Sequence, residues 1–242
     1  MSQANSSATG AQSSRIHWVP LESSPEAMNR VIHRLGVDPS VGFSDVLGLD
    51  EELLLMTAQP VQALVFLFPL TDNFEESRKN EAVGGSGTVS PKVWFMRQTI
   101  GNACGTMAIM HALANTRHNL PISGHLAQFF EQVKDMSPEE RAAVLESDST
   151  IADAHKEGAA TGQTSAPSPD ADVDHHYSAF VCVDGSLYEL DGRLSAPINH
   201  GPSTDVLRDG AQAIKRRIES FAGESQAFSV IALGPSSDED DY

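Results

Sequence analysis

One stretch of the 242-residue chain constrains its fold more than any other: Cys104 to Asn115. It is apolar nearly all the way round and keeps a small surface through Gly105, Ala108, Ala112 and Ala114. A helix with no polar face has nothing to offer water, so it belongs deep inside a domain with other elements packed around it. Ala63 to Phe68 makes the same demand in extended form, as a central strand covered on both faces.

Local signals predict elements around these two. Ser24-Pro25-Glu26 supplies a capping hydroxyl, a proline for the first turn and an acid at the positive dipole end. Met28, Val31, Ile32 and Leu35 then recur at helical spacing until Gly36. Gly42 to Leu49 suggests a short strand, Asp50 to Ala58 a short helix, and Val93 to Met96 another short extended segment. Ser123 to Lys134 and Ser137 to Glu146 read as helices, the second opened by a capping box between Ser137 and Glu140. Asp184-Gly185 joins the strands His176 to Val183 and Leu187 to Leu190 as a hairpin. Leu207, Ala211, Ile214, Ile218 and Phe221 share one face of a long helix, and Ala227 to Leu233 makes a last strand. Thr71 to Ser90 is polar and Gly-rich, hence a loop or linker. Glu146 to Asp174 reads as a long loop, a kind that in compact domains is functional or disordered. Helices and strands segregated around a mostly antiparallel sheet define an α+β protein.

Charge removes several functions. Lys and Arg number 16 against 33 Asp and Glu, a net charge of −17. Nucleic-acid binding by counterion release needs clustered cations, and so does docking on an anionic membrane, so neither partner is expected. The longest apolar run, near Val61 to Leu70, is broken by Gln62 and falls far short of the ~20 residues of a membrane-spanning helix. Met1 to Arg15 lacks the apolar block of a secretory signal and is expected to be disordered. Cys104 and Cys182 are too few for a disulfide scaffold and suit a reducing compartment. The expected location is the cytoplasm, with the nucleus also open.

Cys104 stands where the polar stretch Gln98-Thr99-Ile100-Gly101-Asn102-Ala103 turns into the apolar helix. Unpaired N–H groups and the positive dipole end stabilise a thiolate there, and the same N–H groups suit the oxyanion formed when sulfur attacks a carbonyl. Gln98 offers a side-chain N–H donor, and Gly105 close approach to a substrate backbone. The plainer reading of Cys104 is a small core hydrophobe. A cysteine nucleophile needs a base, and the base an orienting acceptor. His111 is two helical turns along and cannot reach back. The hairpin folds the start of its first strand beside the end of its second, which brings His175 or His176 next to Asp191. Only one of the two histidines can face the thiol, because adjacent strand residues point opposite ways.

These stretches resemble a known family. Gln98 to Thr106, Asp184 to Arg193, Trp18-Val19-Pro20-Leu21-Glu22 and Pro197-Ile198-Asn199-His200-Gly201, in that arrangement, are similar to the ubiquitin carboxyl-terminal hydrolases, papain-like cysteine deubiquitinases. The resemblance implies Cys104 as nucleophile, His176 as general base and acid, Asp191 as its orienter, and Gln98 with the Cys104 N–H as the oxyanion hole. His176 is taken over His175 because the family's histidine stands eight residues before the Asp-Gly turn. The implied fold is a papain-like α+β domain with a knotted backbone. The chain then divides into a tail at 1–15, a catalytic domain at 16–235 with an active-site crossover loop at 146–174, and an acidic tail at 236–242. The implied activity removes small adducts or short peptides from the C-terminal glycine of ubiquitin or a ubiquitin-like protein, with no cofactor and no metal. A monomer is the default, there being no surplus amphipathic helix or coiled-coil repeat. A non-catalytic ubiquitin-binding module and a Cys-His-Asp acyltransferase are the alternatives. The 146–174 segment holds seven acids and one lysine, net −6, which suits steering of ubiquitin's arginine-bearing tail.

Overall fold

In the computed structural model, which describes residues 16–70, 87–162, 168, 173–220 and 227–236, the order is as follows. Helix α1 (Pro25–Leu35), strand β1 (Val41–Asp45), one-turn helix α2 (Glu51–Leu54) and strand β2 (Ala63–Pro69) come first. Four helices follow: α3 (Cys104–Thr116), α4 (Gly124–Gln132), α5 (Pro138–Glu146) and α6 (Ser149–Ala160). Then come β3 (His175–Val183), β4 (Ser186–Leu190), β5 (Ile198–Pro202), α7 (Val206–Ser220) and β6 (Ser229–Pro235). The strands form one antiparallel sheet in the order β1-β6-β2-β3-β4-β5.

Strand β2 lies between β6 and β3, with Val65 opposite both Ile231 and Ala179. Ala63 and Val65 join the core that holds α1 and α3, whereas Leu64, Phe66 and Phe68 join the one beneath α7. A strand buried on both faces needs apolar residues at every position, as its sequence supplies. Helix α3 is buried along its whole length. The expected caps are present: Ser24 accepts from the Ala27 N–H, and Ser137 and Glu140 cap reciprocally.

One expectation is corrected, and two further segments go beyond what was expected. First, 146–174 is not a continuous loop, because α6 occupies Ser149–Ala160. Asp148 caps it by accepting from the Ile151 N–H at 3.0 Å. Its buried residues are Ile151, Ala154, His155, Gly158 and Ala159, and a Cβ on Gly158 would lie 2.5 Å from Val31 Cγ2 of α1. Small residues let the two helices approach closely, and the same small residues made the segment read as loop. Of its acids only Asp170, Asp172 and Asp174 remain in the connection 161–174, net −3 instead of −6. Glu157, for one, sits on α6 beside Arg34, 3.4 Å from its Nε.

Second, Val93 to Met96 joins no sheet, because helix side chains serve its backbone. Asn115 accepts from the Trp94 N–H at 2.7 Å and donates to the Trp94 carbonyl at 2.8 Å, and Arg141 donates to the Phe95 carbonyl at 2.8 Å. Third, β5 was not expected, since Asn199, His200, Gly201 and Pro202 are poor strand formers. Its pairing with β4, interrupted by a register shift at Leu187/Tyr188, makes it a strand. The expected tail 1–15, most of the Thr71 to Ser90 loop, Phe221 and the acid-bearing tail from 237 lie outside the described residues. The expected knot is a property of the complete chain path, parts of which (71–86, 163–167 and 169–172) also lie outside them. No helix among the described residues is long and apolar enough to cross a membrane.

Candidate active site

The stretch leading into Cys104 is held from outside. Trp18 donates its N–H to the Gly101 carbonyl at 2.9 Å, and Gly101 donates to the Ile16 carbonyl at 2.8 Å. A Cβ on Gly101 would meet the His17 ring at 2.3 Å, so a side chain there would displace that ring. Asn102 follows with φ 59°, a left-handed conformation that asparagine tolerates better than most residues. It turns the chain sharply into α3.

Ala103 provides no side-chain cap, and the first helical bond runs from the Met107 N–H to the Ala103 carbonyl at 2.9 Å. The N–H groups of Cys104, Gly105 and Thr106 therefore have no acceptor within the helix. They stand at the positive end of the dipole, in the turn that Cys104 opens, a position suited to stabilising a thiolate and an oxyanion. The close-approach role expected of Gly105 is corrected: a Cβ there would lie 3.0 Å from Leu21 Cβ and 3.4 Å from the Tyr177 ring. Glycine at this position serves packing beneath α3.

The hairpin turn takes left-handed conformations at both Asp184 (φ 49°) and Gly185 (φ 74°), matching the twist of β3 and β4. It sets Ala179 opposite Leu190 and so brings the start of β3 to the residue just beyond β4. His176 Nε2 donates to Asp191 Oδ1 at 2.6 Å, with both side chains almost wholly buried. The same carboxylate oxygen accepts from the Arg193 N–H at 2.9 Å, which fixes its orientation. The Phe68 ring stands edge-on to the imidazole, centroids 5.6 Å apart. With Nε2 engaged, Nδ1 is the nitrogen left for Cys104, whose sulfur is near enough to favour the charged form of this histidine. Burial works against a charged His176, but the Asp191 carboxylate, by charge and hydrogen bond, and Cys104, by the same two means, raise it to about 9. His175 pairs with Pro69 and, by strand alternation, faces the other way.

Gln98 is held against Asp191's neighbour: its N–H donates to the Gly192 carbonyl at 2.9 Å. A Cβ on Gly192 would lie 2.8 Å from Gln98 Cβ, so glycine is needed there too. The Gln98 amide donates one N–H to the Ile100 carbonyl at 3.0 Å, leaving its second N–H for a ligand. Cys104, His176 and Asp191 are thus brought together, with Gln98 fastened beside the aspartate's strand. Cys182 lies elsewhere, its sulfur 3.0 Å from the Ser203 hydroxyl, and burial pushes its thiol pKa up. Both cysteines are free thiols.

Two buried histidines have roles that the sequence reading did not assign, although it had set His111 aside as a base. His111 stacks on Phe95 with ring centroids 5.2 Å apart, and burial pushes its pKa down to about 4. Its Nε2 sits 3.1 Å from the Met96 carbonyl, so it braces the segment that delivers Gln98. His155 of α6 reaches Thr106. The available signal was a histidine among small apolar residues at helical spacing. No cluster of metal ligands occurs among the described residues.

The family description "Ubiquitin carboxyl-terminal hydrolase, family 1" matches residues 18–219, a span that contains all four of these residues. The chain belongs to the ubiquitin carboxyl-terminal hydrolase family. It is 43% identical over 233 residues to ubiquitin carboxyl-terminal hydrolase 3 of Arabidopsis thaliana, covering 93% of this chain and 98% of that one. It is also 43% identical over 208 residues to the ubiquitin carboxyl-terminal hydrolase of Aplysia californica, covering 84% and 95%. Among solved structures, the UCH37 catalytic domain of Trichinella spiralis bound to ubiquitin vinyl methyl ester superposes with a TM-score of 0.73 at 23% identity. That match covers 91% of this hydrolase and 96% of the other chain, and at this identity it speaks to the fold, a papain-like α+β domain.

Proposed function

We propose that the chain is a cysteine-type deubiquitinating hydrolase, cleaving small adducts or short peptides from the C-terminal glycine of ubiquitin through an acyl-enzyme on Cys104. The observation that carries this reading is the buried His176–Asp191 pair against a thiol at an uncapped helix N-terminus. The thiolate attacks the glycine carbonyl, and the oxyanion accepts from the Cys104 N–H and the Gln98 amide. His176, held as imidazolium by Asp191, gives its proton to the departing amine and leaves a thioester. Water then attacks the thioester, His176 takes the water's proton, and ubiquitin leaves with its carboxylate while the thiol is restored. Every step uses groups of this chain and water.

Two features, one of the sequence and one of the surface, support ubiquitin as the partner. Asp170, Asp172 and Asp174 keep the connection into β3 acidic, a complement to ubiquitin's cationic tail. Beyond β1, Leu47 is well exposed beside Asp45 at the same end of the sheet as His176, and Leu55 and Met56 are well exposed on the connection that continues from it. They offer an apolar seat for ubiquitin's folded body.

The test uses Cys104→Ala and a ubiquitin probe with an electrophilic C-terminus. The expected outcome is covalent capture of the unaltered chain at Cys104, and loss of all turnover in the variant with binding retained. Full turnover by Cys104→Ala would overturn the mechanism. Retention of the probe without a covalent bond would favour a binding module, and neither capture nor retention an acyltransferase.

A further inference from the structure

His155 lies on α6, outside the groups that take part in the reaction, and only 2% of its surface is exposed. Both of its ring nitrogens are used. Nε2 is 2.6 Å from the Val19 carbonyl oxygen, and Nδ1 is 2.7 Å from the Thr106 hydroxyl. A carbonyl only accepts, so Nε2 carries the hydrogen. Burial disfavours the charged ring and pushes its pKa down to about 4, so at neutral pH Nδ1 is a bare lone pair. Thr106 must therefore donate its hydroxyl hydrogen to Nδ1, and one tautomer satisfies the whole set. The Trp18 ring covers the same imidazole with centroids 4.5 Å apart.

The two contacts reach the two sides of Cys104. Thr106 belongs to the first turn of α3, two residues after the sulfur. Trp18 and Val19 belong to the segment that grips Gly101, three residues before it, through the Trp18 N–H. One imidazole thus fastens the turn after Cys104 to the strap that holds the stretch before it. Neither end of this link touches His176 or Asp191 among the bonds described above.

We propose that His155 is a positioning residue for Cys104: through Thr106 and the Trp18–Val19 segment it fixes the first turn of α3 against the loop at 98–103. It thereby sets the line from the sulfur to His176 Nδ1 and the direction of the N–H groups of that turn. This rests on Cys104 being the nucleophile. A misplacement of about 1 Å at a reacting group costs up to on the order of a hundredfold in rate. A distortion of this turn is therefore expected in kcat and not in KM, because the link lies away from the exposed surface that would hold ubiquitin.

The test measures two rates on folded protein: turnover of a ubiquitin C-terminal amide, and alkylation of Cys104 by iodoacetamide followed by mass. Thr106→Val keeps the side-chain shape and removes the donor. It is expected to slow both rates by on the order of tenfold with KM unchanged, whereas Thr106→Ser, which keeps the hydroxyl, restores them. His155→Gln is expected to slow both as well. The double variant is expected to be no slower than the slower single one, because both changes break one link. Alkylation at the wild-type rate in Thr106→Val, or effects of the two changes that multiply, would overturn the proposal. Should His155→Gln fail to fold, the isosteric Thr106→Val and its serine counterpart still decide. Absence of ubiquitin turnover in the unaltered chain would instead count against the proposed function, since alkylation reads the geometry without ubiquitin.

Discussion

Two buried carboxylates stand at the end of β4, Glu189 within the strand and Asp191 one residue beyond it, and each is paired with a histidine. His176 donates to Asp191 at 2.6 Å, and His200 lies 3.1 Å from Glu189. By distance and burial both pairs look like parts of a site. Their surroundings separate them. Around Glu189 stand the Arg217 guanidinium at 2.9 Å and the Ser178 hydroxyl at 3.1 Å, the first from α7 and the second from the adjacent strand. A fixed cation answers that carboxylate, and the cluster ties α7 to the sheet. On the other pair, the Asp191 charge acts on an imidazole whose remaining nitrogen serves a thiol at a helix N-terminus. A carboxylate–histidine pair becomes chemistry through its third partner, and here that partner is Cys104.

The comparison breaks if the two pairs respond alike to loss of charge. Asp191→Asn keeps the shape but removes the charge that holds His176 charged and oriented. The expected loss of turnover is on the order of 10⁴-fold. His200→Gln is expected to leave turnover per folded molecule within about threefold, since surroundings and not catalysis depend on it. The pH response carries the same contrast with a definite sign. His176 is raised to about 9, so its contribution to stability is fully present below the ordinary value of 6.5 and is lost as pH rises through about 9. Alkylation of Cys104 as a function of pH should show an alkaline limb near that value. In Asp191→Asn the limb should move to lower pH, and an unmoved limb would sever His176 from Asp191.

How much of this was legible in the sequence depends on the range of the interaction concerned. The helix starts at Pro25 and Pro138, the burial of α3 and the hairpin at Asp184-Gly185 are set by residues a few positions apart, and they were read correctly. The hairpin alone places a histidine beside Asp191, so half of the site followed from local geometry. Cys104 was attached to it by family resemblance, because the contact between α3 and β3 spans some 70 residues that no local rule bridges. α6 failed for another reason: its buried face of Ala154, His155, Gly158 and Ala159 offers little hydrophobic contrast to a periodicity argument. The partners of the segment at Val93 to Met96 are Asn115, His111 and Arg141, helix side chains that nothing in its own four residues announces. Arg217 and Glu189 are 28 residues apart, and nothing near either residue announces the other.

The Glu189 cluster should reveal itself in stability instead of rate. Arg217 and Glu189 are 7% and 0% exposed, so Arg217→Met strands a buried carboxylate. Such half-removal of a buried pair costs about 3–5 kcal/mol, far more than replacing both members. Denaturant unfolding should show that loss, and adding Glu189→Gln should recover much of it. Turnover per folded molecule is expected to stay close to that of the unaltered chain. A combined variant no more stable than Arg217→Met alone would mean that the cation contributes through packing of its stem.

The smallest change asks whether the two clusters are one network. Ser178 sits one step past the last paired rung, Ala179 with Leu190, and therefore opposite Asp191, two residues along β3 from His176. Its hydroxyl donates across the strand pair to Glu189, so it is tied to one carboxylate by a hydrogen bond and to the other by its place in the register. Ser178→Ala removes a hydrogen bond to a charged group, worth about 1.5–3 kcal/mol, and the lower end applies because Arg217 and His200 still hold the other oxygen. If the clusters are independent, unfolding registers this loss while turnover and the alkaline limb of Cys104 alkylation stay in place. A shift of that limb would mean that His176 senses the Glu189 side through the strand. The separation between a structural and a chemical carboxylate would then be one of degree, set by how rigidly β3 holds its register between them.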